Sequence, residues 1–190
     1  MNLEEAREHI QDGKIGVFPT ETAYGIAADA LNEEAVEKVY EAKQRPRSKP
    51  LTVICSSLGQ VEEHAELTED ERKLVEEFMP GPLTLIVDKK DHVPDNLNEK
   101  FVFRISSSES ARGLAEETPV TATSANISGG NTSYSVDDIS DKLLDEVDFV
   151  IDRGELEEGP TSTIVEVNNG DIVVHRRGPI TEEGLMDVLE

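Results

Sequence analysis

Residues 162–176 read STIVEVNNGDIVVHR. Two runs rich in Val, Ile and Thr flank Asn168-Asn169-Gly170. An Asn-Gly pair between β-branched runs signals a hairpin, because the tight turn needs residues that tolerate positive φ. Elsewhere along the chain helix and strand signals alternate, which predicts strands joined by helical crossovers. The hairpin interrupts that alternation, so the fold is expected to be α/β with a mixed sheet and flanking helices.

Upstream of the hairpin, FVID (149–152) and VTATSA (120–125) are apolar enough to enter the core, and a helix is expected over 136–145. FVFRI (101–105), LTLIVD (83–88), LTVIC (51–55) and KIGVF (14–18) read as strands. Helices are expected over 2–12, stopped by Gly13, and from an Asn32 N-cap to about Lys43. Thr68 and Glu71 form a capping box for a helix through Phe78. Further helices are expected over 108–116 and 181–189. No repeat or low-complexity segment is present.

The 190 residues are expected to form one domain, 1–190, large enough for a real core. Hydrophobic residues make up 36% and Trp is absent, so that core must rest on Val, Ile, Leu and Ala. The start, MNLEEAREHI, is acidic and lacks the apolar region of a signal peptide. No apolar run approaches the roughly 18 residues that span a bilayer. Cys55 is alone, which excludes a disulfide framework and a cysteine-based metal site. A soluble cytoplasmic protein without a membrane partner is expected.

Asp and Glu number 41 against 18 Lys and Arg, a formal net charge of -23. Acids spread along the chain give a self-repelling, soluble surface suited to a high-salt, halophile-like cytoplasm. The same charge argues against a broad nucleic-acid interface, which needs cations. Against this background EAKQRPRSKPL (41–51) stands out. It carries Lys43, Arg45, Arg47 and Lys49 on alternate residues, with no acid between Glu41 and Glu62. Residues 118–136, TPVTATSANISGGNTSYSV, hold no charge and many Ser, Thr, Asn and Gly; GPTSTIV (159–165) has the same character. A basic loop and two neutral, donor-rich loops are what a phosphate ligand requires. Neither G-x-x-x-x-G-K-[ST] nor G-x-G-x-x-G occurs. The four histidines are scattered without ligand spacing and are expected on the surface. Ser124 has no evident His and Asp partners, so a hydrolase triad is not expected.

Six segments in order carry a resemblance: FPTETAYGI (18–26), KQRPRSKPL (43–51), PGPLTLIV (80–87), TSANISG (123–129), STIV (162–165) and RRG (176–178). Together they resemble the threonylcarbamoyl-AMP synthase family, the YrdC-like domain, in its short single-domain form. The resemblance implies an open, twisted α/β sheet with a concave active site, similar to a double-stranded-RNA-binding fold. It implies a nucleotidyltransferase reaction of L-threonine, bicarbonate or CO2, and ATP, giving threonylcarbamoyl-AMP and pyrophosphate, with Mg2+ accompanying the nucleotide. A downstream transferase would then modify the tRNA adenosine beside the anticodon, with little or no direct tRNA binding by this chain. The alternative is a nucleotide- or RNA-binding module of the same fold without threonine chemistry.

By position, the resemblance assigns Lys43 and Arg45 to catalysis. Arg45, Lys49, Lys100, Ser124, Asn126, Thr132 and Arg176 are assigned to ATP. Thr22, Arg104, Ala122 and Ser162 are assigned to threonine. No carboxylate is assigned to a metal. Tyr24 reads equally as core or as pocket wall, and Arg47 as plain surface. Some members place a His at the position of Ile54, and often a Pro at that of Ser106.

Overall fold

The computed structural model describes residues 1–189. Its strands form two open sheets. The larger contains β3 (Val53–Cys55), β4 (Ala65–Glu66), β5 (Leu83–Lys89), β6 (Phe101–Ile105), β7 (Val120–Thr121), β10 (Thr163–Asn168) and β11 (Asp171–Arg176), in the order β11-β10-β5-β6-β3-β7, with β4 paired to β5. The smaller contains β1 (Gly16–Pro19), β2 (Tyr24–Ala27), β8 (Thr123–Ser124) and β9 (Phe149–Val150), in the order β8-β2-β1-β9. Both are mixed. β10 runs parallel to β5 and antiparallel to β11, and β1 runs parallel to β9 and antiparallel to β2.

The hairpin forms as its residues dictate. Asn169 and Gly170 adopt φ of 53° and 87°, matching the right-handed twist of β10 and β11. Among the described residues, seven α-helices flank the sheets: α1 (Leu3–Gln11), α2 (Glu33–Lys43), α3 (Leu58–His64), α4 (Glu69–Phe78), α5 (Glu109–Leu114), α6 (Asp141–Leu144) and α7 (Glu182–Leu189). Asn32 caps α2 by accepting from the Glu34 and Ala35 amides. Thr68 and Glu71 form the expected capping box on α4, and Gly13 takes φ 72° just past α1.

Three local expectations are corrected. The helix expected over 136–145 is broken into a 3₁₀ turn, Val136–Asp138, and α6. Asp138 accepts from the Tyr134 and Ser135 amides, and Ile139 goes extended to reach the core at 4% exposure. Helix α3, capped by Ser57, and strand β2 lie where no element was expected. His64 is buried against Phe101 and shares a 2.9 Å hydrogen bond with His92, so not all four histidines are at the surface.

What positions the site is the passage of residues 120–124 between the sheets. Val120 and Thr121 pair with β3, and Thr123 and Ser124 pair with β2. Ala122, between them, donates its amide to the Thr52 carbonyl at 2.7 Å, and the Thr121 hydroxyl donates to Ile26 O at 2.8 Å. A chain that leaves one sheet and joins the next leaves a concavity at the crossing. The absence of charge in the first part of 118–136 has its reason here, since Val120, Thr121 and Thr123 are buried where the chain passes between two backbones.

Candidate active site

The concavity is a cavity of about 370 Å³. One side is built from Thr20, Thr22 and Ala23, with Tyr24 and Gly25 of β2, and from Ala122, Thr123, Ser124 and Thr132. The other is built from Ile86 on β5, Val102 and Arg104 on β6, Thr161, Ser162 and Ile164 around β10, and His175 and Arg176 on β11. Arg45, Pro50 and Thr52 close the third. Three guanidinium groups reach this wall, and none of its residues is an Asp or Glu. In a protein of net charge -23, that local inversion makes the cavity wall electropositive.

Arg104 is buried, at 4% exposure, on the central strand β6. Glu21 Oε1 lies 2.8 Å from its Nη1, yet Nε and Nη1 make no hydrogen bond. Burial lowers the Arg104 pKa from the usual arginine value, and the Glu21 charge partly offsets this. Arg176, at the rim, donates through Nε to Ser162 O and through Nη2 to Ser162 Oγ, both at 2.9 Å. Its pKa is lowered by burial and then by the neighbouring Arg104. The Ser162 hydroxyl also meets Thr84 Oγ1 at 2.7 Å. Gly178 explains the third residue of RRG: an added Cβ would lie 2.4 Å from Thr161 O and 2.5 Å from Thr163 N.

Arg45 follows the α2 C-terminus, where Gln44 takes φ 51°. Its Nε and Nη2 donate to the carbonyls of Lys49 and Pro50 at 3.2 and 2.8 Å, folding the loop back on itself. Lys43 is 0% exposed. Its ammonium donates to Ser124 O, to Asn126 O at 2.7 Å and to Asn126 Oδ1 at 3.1 Å. Burial, then the Arg45 charge, pushes its pKa down to about 7. Ser124 Oγ donates to Asn126 Oδ1 at 2.7 Å, and Asn126 Nδ2 reaches Gly130 O and Asn131 O. Lys43 and Asn126 thus brace the neutral loop from behind.

Of the residues assigned from sequence, Thr22, Arg45, Arg104, Ala122, Ser124, Thr132, Ser162 and Arg176 meet on the cavity wall. Lys43 and Asn126 stand behind it. Lys49 is exposed, with its carbonyl turned to Arg45 and Tyr40. Lys100 lines a separate recess with Thr68 and Asn168 and is bonded to Glu166 and Asp88. Ile54 is fully buried in a core cluster with Phe18 and Phe149. Tyr24 fulfils both of its readings, fully buried and on the wall, with its hydroxyl donating to Gly154 O at 2.7 Å. Arg47 pairs with Glu37 and lies over the Tyr40 ring at 4.4 Å.

Thr20, Thr52, Thr161 and His175 also line the cavity and were not anticipated. Thr161 lay within the neutral segment 159–165 and could have been singled out there. Thr52 was hidden inside a run read as buried strand. Among the described residues, no group of three or more His, Cys, Asp or Glu could hold a metal ion, and no helix is long and apolar enough to cross a membrane.

Comparison with known proteins bears on the family and the fold. The Sua5/YciO/YrdC family model, described as "Telomere recombination", matches residues 8–178. A protein of Methanocaldococcus jannaschii, provisionally named a threonylcarbamoyl-AMP synthase, is 39% identical over 94% of this chain and 86% of its own length. The threonylcarbamoyl-AMP synthase of Pyrococcus abyssi is 36% identical over 95% of this chain, which spans only 55% of that protein. The crystal structure of P. abyssi Sua5 complexed with L-threonine superposes with a TM-score of 0.91 at 35% identity, covering 98% of this chain and 56% of that one.

Proposed function

The chain belongs to the Sua5/YciO/YrdC family, and from that membership we propose that it is a threonylcarbamoyl-AMP synthase. It joins L-threonine, bicarbonate or CO2, and ATP, and releases pyrophosphate. The observation that carries this reading is the cavity itself, with Arg45, Arg104 and Arg176 on a wall without acids. Its product would supply the threonylcarbamoyl group of a tRNA adenosine, through a separate transferase. One domain, 1–190, would carry the whole reaction.

The chemistry explains the arrangement. The threonine ammonium first loses a proton to solvent. The amine then adds to the carbon of CO2 with loss of a second proton, or condenses with bicarbonate with loss of water, and the carbamate oxygen attacks the ATP α-phosphorus. A new O–P bond forms, the bond to the β-phosphate oxygen breaks, and pyrophosphate leaves with that electron pair. This nucleotidyl transfer brings two anions together, so fixed cations lower its barrier. In this reading Arg104 holds the threonine carboxylate, with Thr22, Ser162 and the Ala122 backbone around the amino acid. Arg45, Arg176, Ser124 and Thr132 hold ATP. Lys43 acts as a positioning residue, because its protons are already given to the loop that carries Ser124 and Asn126.

Glu21 is the carboxylate nearest Arg104, and it is engaged by Arg104 and Ser106. The residues therefore do not build a protein-ligated Mg2+ site, and Mg2+ would be held by nucleotide phosphates and water. The test is release of AMP or pyrophosphate from ATP, with threonine and bicarbonate omitted in turn. Release should require both. Release indifferent to threonine would overturn the reading in favour of a nucleotide-binding module.

A further inference from the structure

Arg104, Arg176 and Glu21 are three neighbouring charges with unequal partners. Arg104 lines the wall with two unsatisfied nitrogens, and Arg176 is close enough to depress its own pKa against Arg104. Glu21 lies behind the wall, with Oε1 2.8 Å from Arg104 Nη1 and itself without a hydrogen bond. Contact without hydrogen-bond alignment leaves the guanidinium charge only partly satisfied by Glu21. The other oxygen of Glu21 accepts from the Ser106 hydroxyl. Ser106 is 0% exposed, accepts the Ser108 amide at 3.2 Å, and gives its carbonyl to Arg112 at 2.5 Å. The Glu21 charge is therefore anchored to the start of α5 and does not have to move when a ligand enters.

We propose that Glu21, anchored by Ser106, is a specificity-determining residue that makes the cavity at Arg104 select a zwitterionic amino acid over an anion lacking the ammonium. This rests on the reading of Arg104 as the carboxylate partner. Two guanidinium groups alone would attract any anion, including the phosphates of a nucleotide in the same cavity. A fixed carboxylate beside them weakens that attraction for every anion. A ligand whose carboxylate meets Arg104 and whose ammonium is two bonds away recovers the loss, because its positive end lies in the Glu21 field. Opposite charges about one side-chain length apart in a partly desolvated site shift affinities by tenfold or more.

Titration calorimetry with L-threonine and with 3-hydroxybutyrate, the same acid without its amine, reads this directly. Wild type should prefer threonine. In Glu21→Gln the ratio of the two affinities should fall by about tenfold or more, through weaker threonine and tighter 3-hydroxybutyrate binding. Ser106→Ala keeps the charge but frees it, and should lower the ratio less. It removes one hydroxyl and leaves Arg104 paired, so it provides a folded variant, checked by a cooperative melt, if Glu21→Gln does not fold. An unchanged ratio in the folded variants overturns the proposal while leaving the threonine site standing. Wild type that binds no threonine overturns the site reading itself.

Discussion

The Lys43 ammonium donates to the Asn126 carbonyl oxygen at 2.7 Å, across 83 residues of chain. That bond ties the end of α2 to the neutral loop after β8. It also places a buried cation directly behind the hydroxyls assigned to ATP, where the basic segment and the donor-rich segment become one wall.

The buried ammonium gives stability a pH dependence. Its pKa is about 7 when folded against an ordinary 10.5. Between those values the unfolded chain binds the extra proton, so this group's contribution to stability rises with pH across that window and levels off above it. Lys43→Met lacks this titration. The stability of wild type relative to Lys43→Met, from urea unfolding at several pH values, should climb between about pH 7 and 10 by up to about 1.4 kcal/mol per unit. A constant difference would mean that the three oxygen acceptors hold the proton throughout.

Arg104→Lys preserves charge but not the planar fork. Threonine affinity should drop by about 1.5–3 kcal/mol, roughly 10- to 150-fold, the range for a lost charge-assisted hydrogen bond. ATP affinity should change much less, since Arg45, Ser124 and Arg176 are assigned to it. Calorimetry of each ligand separates the two, and equal losses would reassign Arg104 to the nucleotide or the fold.

Gly178→Ala puts a methyl group against the backbone of Thr161 and Thr163. Backbone cannot swing aside as a side chain does, so destabilisation of about 1–3 kcal/mol is expected. Because Ser162 lies between those residues and receives Arg176, ATP binding should weaken as well. Thermal melting and nucleotide titration on the same sample check both effects, and a melt unchanged from wild type would show that the turn relaxes.

The surface charge of -23 predicts a salt response. Like-charge repulsion is screened within about 10 Å at 0.1 M salt and within about 3 Å at 1 M. The melting temperature should therefore rise with KCl toward molar concentrations. A flat or falling curve would sink the high-salt reading of the composition.

Some of this protein is decided by local chemistry and was legible in order along the chain. The Asn169-Gly170 turn, the Asn32 cap and the Thr68–Glu71 capping box form because residues within four positions satisfy one another's backbone groups. The clearing of acids around Lys43 and Arg45 was likewise legible, and the structure brings Arg45 of that segment to the cavity wall. Only the tertiary structure decided the rest. Residues 136–145 carry a helical pattern, but Asp138 turns back to cap Tyr134 and Ser135, and the core takes Ile139 in an extended conformation. Glu21 and Ser106 are 85 residues apart, and no periodicity announces that they meet beside Arg104. Lys43, assigned from sequence to catalysis, is drawn behind the wall, where oxygens of residues 124 and 126 accept its protons. Cavities and buried ion pairs arise where distant segments cross, and their energies depend on distances that no local pattern of residues encodes.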